Sequence, residues 1–457
     1  MTGQYHHNMD ISEKRIVWLA GLSLFLATLD TGIINMALPT LQAVWLTSAP
    51  VVAWTVAAYT VTLAGTVLFW GRLADRMGSE SILLVGLIVF GGASALCGAA
   101  PSLAILIGAR ALQGLGSGMV QGTAAAFVST RIDSQRHPLA FGTLAMFQGL
   151  GPVIGPTVGG AVLTWLSWRW LFWINIPVMV PLTAMLWARH PHRPPRATIS
   201  LDGIGNAFLM ITVTAGILAL AGNAGSRSLW GLLTILMSGA FIAWERRASY
   251  PLIARALWGM PAFWAAALAV IAAGGATALG FMVPPYTLRL FDHLPLWEVG
   301  VVNITAPLAL VLFSRRIGRL LSRFTASQIM GVGLVMMAGA FLALACSAVT
   351  GSPLVMIPWL LCYGIGAAAF FPSNLAAMLA SAGREHQGIL GALQRMGINL
   401  GIALDVTVTG IFLNIGAHAD HPISIVGVHE AWAYGAVTLM GAAVGVWITR
   451  RRKPLQE

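Results

Sequence analysis

GRLADRMG, residues 71–78, follows the second apolar run of this 457-residue chain, and GRLLSRFT, residues 318–325, follows the tenth, 247 positions later. QGLGSG at 113–118 is echoed in the same way by YGIGAA at 363–368, an offset of 250. The fifth and thirteenth runs superpose at that offset too, which sets Gly151 on Gly401 and Gly160 on Gly410. Glycine and alanine are abundant here, so one such match carries little. Three at nearly one offset indicate a duplication: runs one to six recur as runs nine to fourteen, with two more inserted between.

Composition names the medium. The chain is 57% hydrophobic and 9% charged, whereas soluble domains carry about a quarter charged residues. A helix needs roughly 20 apolar residues to cross the hydrocarbon core, and such windows recur at 16–40, 50–70, 81–100, 102–125, 138–163, 168–188, 202–221, 229–246, 261–284, 297–314, 326–349, 353–380, 388–414 and 427–449. They are continuous and lack the alternation of barrel strands. The expected fold is an all-α polytopic membrane protein with an N-terminal six-helix bundle (1–190), two inserted linker helices (191–255) and a C-terminal six-helix bundle (256–457). No soluble domain fits in the short breaks. No small-residue cleavage pattern follows the first run, which is read as a retained helix. Duplicated halves with a midplane site between them suit transport by rocking.

With an even number of spans both termini share a side. Placing them in the cytoplasm puts 21 of the 26 Lys and Arg there, with Arg169, Arg227 and Arg289 outside and Arg110 and Arg395 within the membrane. The net charge of +11 is then the positive-inside pattern and gives no reason to expect nucleic acid. Cys97, Cys346 and Cys362 lie in apolar runs without metal-ligand spacing, and His6-His7 belongs to a polar tail. No metal or other cofactor is expected. Tryptophans such as Trp45, Trp165 and Trp297 fall at span ends, as an aromatic belt requires.

Four intramembrane charges stand out: Asp30, Arg110, Arg395 and Asp405. Each would cost on the order of 2.5–3.5 kcal/mol facing lipid at mid-helix, so they are expected to face the interior. Asp30 lies about 21 Å along a helix entering from the cytoplasm and Arg110 about 12 Å along one entering from outside. In a core of roughly 30 Å these depths allow one shared aqueous pocket. Asp30 then either forms a static pair with Arg110 or exchanges a proton whose affinity Arg110 tunes. In GALQRMGINLGIALDVTVTG, residues 391–410, Gln394 and Asp405 project from nearly one face, with Arg395 and Asn399 on the neighbouring stripe. The repeat sets Asp405 opposite Gly155. Asp405 is a candidate for substrate charge or a second proton, and Arg395 for a gate or counter-charge. Gln121, Gln148, Trp54, Tyr59, Met146 and Phe147 complete the expected cavity, although packing alone also accounts for the aromatic and methionine positions.

Four stretches carry a family resemblance. LDTGIINMALP at 29–39 resembles the first-helix signature of the fourteen-span drug:proton antiporter group of the major facilitator superfamily, with Gly32 where threonine is usual. GRLADRMG resembles its loop motif between helices two and three, LIGARALQGLGSG at 106–118 its fourth-helix motif, and GPVIGPTVGG at 151–160 its antiporter motif. The resemblance spans the chain and implies a proton-coupled exporter, multi-pass in a bacterial inner membrane. Its partners would be a small-molecule substrate, protons and the bilayer; a periplasmic adaptor and outer-membrane channel are compatible with it, and the chain itself is expected to be monomeric.

In the loop motif, Gly71 and Gly78 permit close packing and turning, while Asp75, flanked by Arg72 and Arg76, can latch a cytoplasmic gate. Ser79 and Glu80 stand where basic residues are usual, and Ser322 replaces the acid in the repeat, so the latch is expected in the first half only. Gly151, Gly155, Gly159 and Gly160, with Pro152 and Pro156 between, form a smooth stripe for a proton-tight helix contact.

No P-loop, HExxH or clustered Ser/His/Asp set appears, so the chain is not expected to be an enzyme and a gradient must supply the energy. The expected activity is export of amphipathic, cationic or neutral aromatic compounds. With two intramembrane acids, and Asp30 committed to protons, monovalent cations are favoured over divalent ones. Proton symport, a dedicated metabolite exporter, and a polytopic enzyme or receptor are the alternatives; the last two lack a catalytic cluster and an output domain.

Overall fold

The computed structural model describes residues 10–133, 136–188, 202–221, 224–249, 251, 253, 255–290, 294–320, 323–347, 352–380, 387–416 and 424–451. Among them there are helices and no strands, and fourteen stretches are long and apolar enough to cross a membrane, the expected number. The first half holds α1 (Ile11–Val44), α2 (Ala49–Met77), α3 (Ser79–Ala99), α4 (Leu103–Ser129), α5 (His137–Trp165) and a sixth span made of α6 (Trp170–Trp173) and α7 (Ile176–Ala188). A hairpin of α8 (Gly203–Ala221) and α9 (Ala224–Arg247), then the short α10 (Arg255–Trp258), lead to the second half. That half holds α11 (Pro261–Leu290), a span made of α12 (Leu296–Asn303) and α13 (Thr305–Leu320), α14 (Ala326–Ser347), α15 (Pro353–Ala380), α16 (Gln387–Leu413) and α17 (Ile425–Arg451).

Two spans expected to be continuous are broken. The sixth, read as 168–188, turns at Ile174-Asn175, and the tenth, read as 297–314, turns at Ile304. At the second break the Thr305 hydroxyl donates to the Val302 carbonyl at 2.7 Å, a local bond that competes with the helical ladder. Asn303, at the same break, donates to the Phe281 carbonyl at 3.2 Å. Both breaks turn an asparagine inward.

The 34 residues of α1 span about 51 Å, more than the roughly 30 Å hydrocarbon core. Its protruding N-terminus is capped: the Asp10 side chain accepts from the Ile11 amide (2.7 Å), and Glu13 accepts from the Asp10 amide (2.9 Å). Glu13 also pairs with Arg136 at the start of α5, and Glu80 at the start of α3 pairs with Arg131 after α4. These two ion pairs fasten helices of the first half together at the end of the molecule where α1 begins.

Packing follows the repeat read from the sequence. A Cβ on Gly116 would stand 2.5 Å from the Phe90 nitrogen of α3, and one on Gly366 would stand 2.9 Å from the Gly333 carbonyl oxygen of α14. A Cβ on Gly151 would stand 2.6 Å from the Leu29 nitrogen of α1, and one on Gly401 would stand 2.0 Å from the Ile271 oxygen of α11. The halves meet by the same rule exchanged between them. Gly160 of α5 abuts Leu296 at the head of α12, and Gly410 of α16 abuts Pro50 at the head of α2. Both junctions lie at the end opposite the termini, where Asn303 also reaches the Met36 sulfur at 3.5 Å.

A Cβ on Gly160 would fall 2.4 Å from the Leu296 oxygen, whereas one on Gly149 of the same helix would meet nothing within 4 Å. Gly160→Ala is therefore expected to destabilise by about 1–3 kcal/mol, seen as a lower melting temperature in detergent. Gly149→Ala should be neutral or slightly stabilising, by up to about 1 kcal/mol. Equal melting temperatures for the two variants would contradict the junction.

Candidate functional site

Two polar features of the membrane-embedded interior form the candidate site: an enclosed ion pair in the first half and a cavity between the halves. Asp30 arrives on α1 and Arg110 on α4, and they pair through Oδ2 and Nη1. Gln113, one helical turn beyond Arg110, donates to Asp30 Oδ1 at 2.9 Å and to Ser94 Oγ at 2.9 Å. Asn175, at the α6–α7 break, donates to the same Oδ1 at 3.3 Å. Arg110 Nε donates to the Thr55 carbonyl at 2.8 Å, and its guanidinium lies 4.3 Å from the centre of the Tyr59 ring. Asp30 is 2% exposed, and Arg110, Gln113 and Asn175 are fully buried.

The sequence expectation that Asp30 and Arg110 meet agrees with this geometry, but the shared aqueous pocket does not. The pair is enclosed behind the cavity. A hydrogen-bonded row runs from the cavity to the edge of the pair: Gln121 donates to Ser117 Oγ (3.1 Å), Ser117 lies 2.7 Å from the Tyr59 hydroxyl, and Tyr59, whose ring lies against Arg110, donates to the Ala27 carbonyl (2.8 Å). Ala27 is three residues before Asp30 on α1.

The cavity has a volume of about 360 Å³, at the small end of drug-sized sites, which run roughly 300–1,000 Å³. Thr31 and Asn35 of α1, Gln121 of α4 and Gln148 and Pro152 of α5 form one wall. Thr277 and Phe281 of α11, Tyr363 and Phe371 of α15, and Arg395 and Asn399 of α16 form the other. Its lining runs from the middle of α1 and α11 toward the end of the bundle where the termini lie. The two glycine junctions close the opposite end.

Of the expected cavity residues, Gln121, Gln148, Arg395 and Asn399 line it. The others are placed elsewhere. Gln394 is buried against α15, donating to the Phe371 carbonyl (2.9 Å) and Asn374 Oδ1 (3.0 Å). Asp405 shares that face of α16 and turns toward α11, where a Cβ on Gly275 would stand 2.9 Å from its own Cβ. The hydroxyls of Thr409 (3.3 Å) and Tyr434 face its carboxylate. The two stripes of α16 are as expected, but only the Arg395–Asn399 stripe faces the cavity. Tyr59 belongs to the ion-pair site. Trp54 packs with Val213 and Ile217 of α8 and Ala403 of α16. Phe147 is buried against Trp18, ring centres 4.9 Å apart, and Met146 is 51% exposed. Neither touches the cavity. Met146 and Phe147 precede Gln148 by two residues and one, a rotation of about 100–200° that carries them to other faces of α5.

In the loop motif Gly78 has φ +97°, which glycine tolerates and which sets the elbow between α2 and α3. Gly71 lies against the backbone of α4, where a Cβ would stand 3.3 Å from the Gly122 oxygen. Arg72 donates to the Pro251 carbonyl at 3.1 Å, tying α2 to the segment after α9, and Arg76 is exposed. The Asp75 side chain, residue Ser322 and residues His6 and His7 lie outside the described residues. In the antiporter motif Gly151, Gly155 and Gly159 face α1, Pro152 lines the cavity, and Pro156 and Gly160 meet α12 at Gly300 and Leu296. Glu80, unusual for the loop motif, has its own partner in Arg131.

Gln113, Asn175 and Tyr363 were not singled out from the sequence. Gln113 stands three residues after Arg110, hence on its face, and Asn175 is an isolated amide in an apolar run; both signals were available. Tyr363, whose hydroxyl donates to Thr277 Oγ1 at 3.2 Å, had none beyond its place in the repeat.

Fourteen membrane-crossing helices in duplicated halves around a central cavity define a polytopic membrane transporter. The family model described as Major Facilitator Superfamily matches residues 20–406, and the chain belongs to that superfamily. It is 26% identical over 421 residues to the multidrug transporter protein MdtP of Bacillus subtilis, covering 88% of this chain and 76% of that one. It is likewise 26% identical over 386 residues to the riboflavin transporter RibZ of Clostridioides difficile, covering 84% of each. Among solved structures it resembles the bacterial homologue of the human lysosomal transporter Spinster in its inward-facing, unoccupied conformation, with a TM-score of 0.70, 14% identity and 97% and 98% coverage. That last likeness is one of fold.

Removing one member of a buried pair typically costs about 3–5 kcal/mol, because its partner is left uncompensated. Arg110→Met is expected to lower the melting temperature sharply, and Asp30→Asn combined with Arg110→Met to recover most of the loss. A double variant as unstable as the sum of the singles would show that the two do not act as a unit.

Proposed function

We propose that the chain is a proton-coupled exporter of amphipathic aromatic small molecules in a bacterial inner membrane, with both termini in the cytoplasm. Residues 1–190 and 256–457 rock about the glycine junctions, and residues 191–255 ride between them. With that orientation the cavity is reached from the cytoplasm. A single chain holds the whole cavity, so a monomer suffices.

The observation that carries this reading is Asp30, a carboxylate held by Arg110 and two amides, with Arg110 lying over the Tyr59 ring and the Tyr59 hydroxyl hydrogen-bonded through Ser117 to Gln121 on the cavity wall. A proton reaching Asp30 leaves Arg110 as an unpaired buried cation, at a cost of about 3–5 kcal/mol. Moving a two-state equilibrium from 1:99 to 99:1 takes about 5.5 kcal/mol, so one protonation supplies most of what switching requires. Packing between α1, α2 and α4 must then change, and the row ending at the Ala27 carbonyl passes that change to the cavity wall. Asp405, buried behind the cavity in the other half, is the candidate for a second proton. Similarity to the multidrug transporter MdtP supports transport of varied compounds, and similarity to the riboflavin transporter RibZ supports an aromatic substrate.

In everted vesicles energised by respiration, the chain is expected to accumulate an aromatic dye, and dissipating the proton gradient should abolish this. Asp30→Asn should retain dye binding while losing gradient-driven transport. Undiminished transport by that variant would sink proton coupling at Asp30, and dye movement in the opposite sense would favour symport.

A further inference from the structure

The cavity carries one formal charge, and it is positive. Arg395 of α16 lines it, and no Asp or Glu does. Asp30 is enclosed with both oxygens engaged, and Asp405 faces α11. Among the described residues the Arg395 guanidinium has no ion pair and no hydrogen bond; the backbone carbonyl of the residue accepts from Asn399 at 3.0 Å. A guanidinium presents five N–H donors in a planar fork that fits a carboxylate with two parallel bonds. Left without one in a mostly apolar chamber, it favours a ligand that brings the missing charge. The other polar groups there are neutral, amides such as Asn35, Gln121, Gln148 and Asn399 and threonine hydroxyls, and Phe281, Tyr363 and Phe371 add aromatic surface.

We infer, resting on the transport reading above, that the cavity selects aromatic organic anions: a carboxylate seats on Arg395 and the ring system lies among Phe281, Tyr363 and Phe371. A cation of the same shape meets like charge with no acid to offset it, and the low local dielectric strengthens that repulsion. This reverses the preference expected from the count of intramembrane acids, because neither acid reaches the cavity.

Fluorescein and rhodamine 123 share a xanthene ring system and differ in charge, so they separate charge from shape. Fluorescence anisotropy with the purified full chain in detergent is expected to show tighter binding of fluorescein. Arg395→Gln should weaken fluorescein binding about tenfold or more and leave rhodamine 123 unchanged or tighter. Arg395→Lys, which keeps the charge but not the fork, should fall between. Tighter binding of rhodamine 123 by the unaltered protein would overturn the inference. So would fluorescein binding that changes less than about twofold in an Arg395→Gln protein of unchanged melting temperature. If that variant fails to fold, the dye preference of the unaltered chain and of Arg395→Lys decides. Binding requires no gradient, so loss of proton-driven export would leave this result standing. Gradient-driven efflux of both dyes at equal preference would instead remove the anion selectivity and keep export.

Discussion

Where α5 meets α12 and α16 meets α2, glycine lets backbone lie on backbone with no side chain between, and the two halves are joined there. Lipid offers no hydrophobic drive for helix association, so close packing and a few polar contacts must hold these helices together. Gly160 against Leu296 and Gly410 against Pro50 supply that closeness twice, each half lending one glycine to the other. With the joint at one end of the molecule, the space between the halves is left at the middle and toward the other end. The cavity is a consequence of where the smallest residues are.

The halves share a scaffold and differ in how they house charge. In the first, Asp30 and Arg110 neutralise each other and are wrapped by amides, so neither is offered to a ligand. In the second, Arg395 and Asp405 sit ten residues apart on one helix, about 15 Å along its axis, and face different neighbours. Where the first half sets Gly155 against Gly32, the second sets Asp405 against Gly275, and the missing side chain on α11 makes room for the acid. One duplicated helix pair thus yields a packing contact in one copy and a buried carboxylate in the other.

The duplication, the number of spans and the meeting of Asp30 with Arg110 were all legible in the sequence, because each rests on spacing along helices of known rise. Which stripe of α16 faces the cavity was not. Gln394, Arg395, Asn399 and Asp405 are all polar in an apolar helix, and burial against α15 or α11 satisfies such groups as well as a cavity does. Trp54 and Phe147 failed for a related reason: in a membrane protein apolar side chains face lipid, neighbouring helices and substrate alike, so hydrophobicity does not report direction. The break at Asn175 was hidden within a run whose apolar residues read as one continuous helix.

The inserted hairpin has a bearing on how such a chain could arise. Arg72 fastens its outgoing strand of chain to α2, and Trp54 wedges α8 against α16, so the pair is attached at its margins and makes no part of the cavity wall. Adding one helix between the copies, or three, would have delivered the second copy to the bilayer upside down and set Gly410 at the wrong face. A pair conserves parity: the chain crosses and returns, and α11 starts from the same side as α1. Growth by hairpins is therefore the mode of enlargement that this architecture can absorb without dismantling its joint.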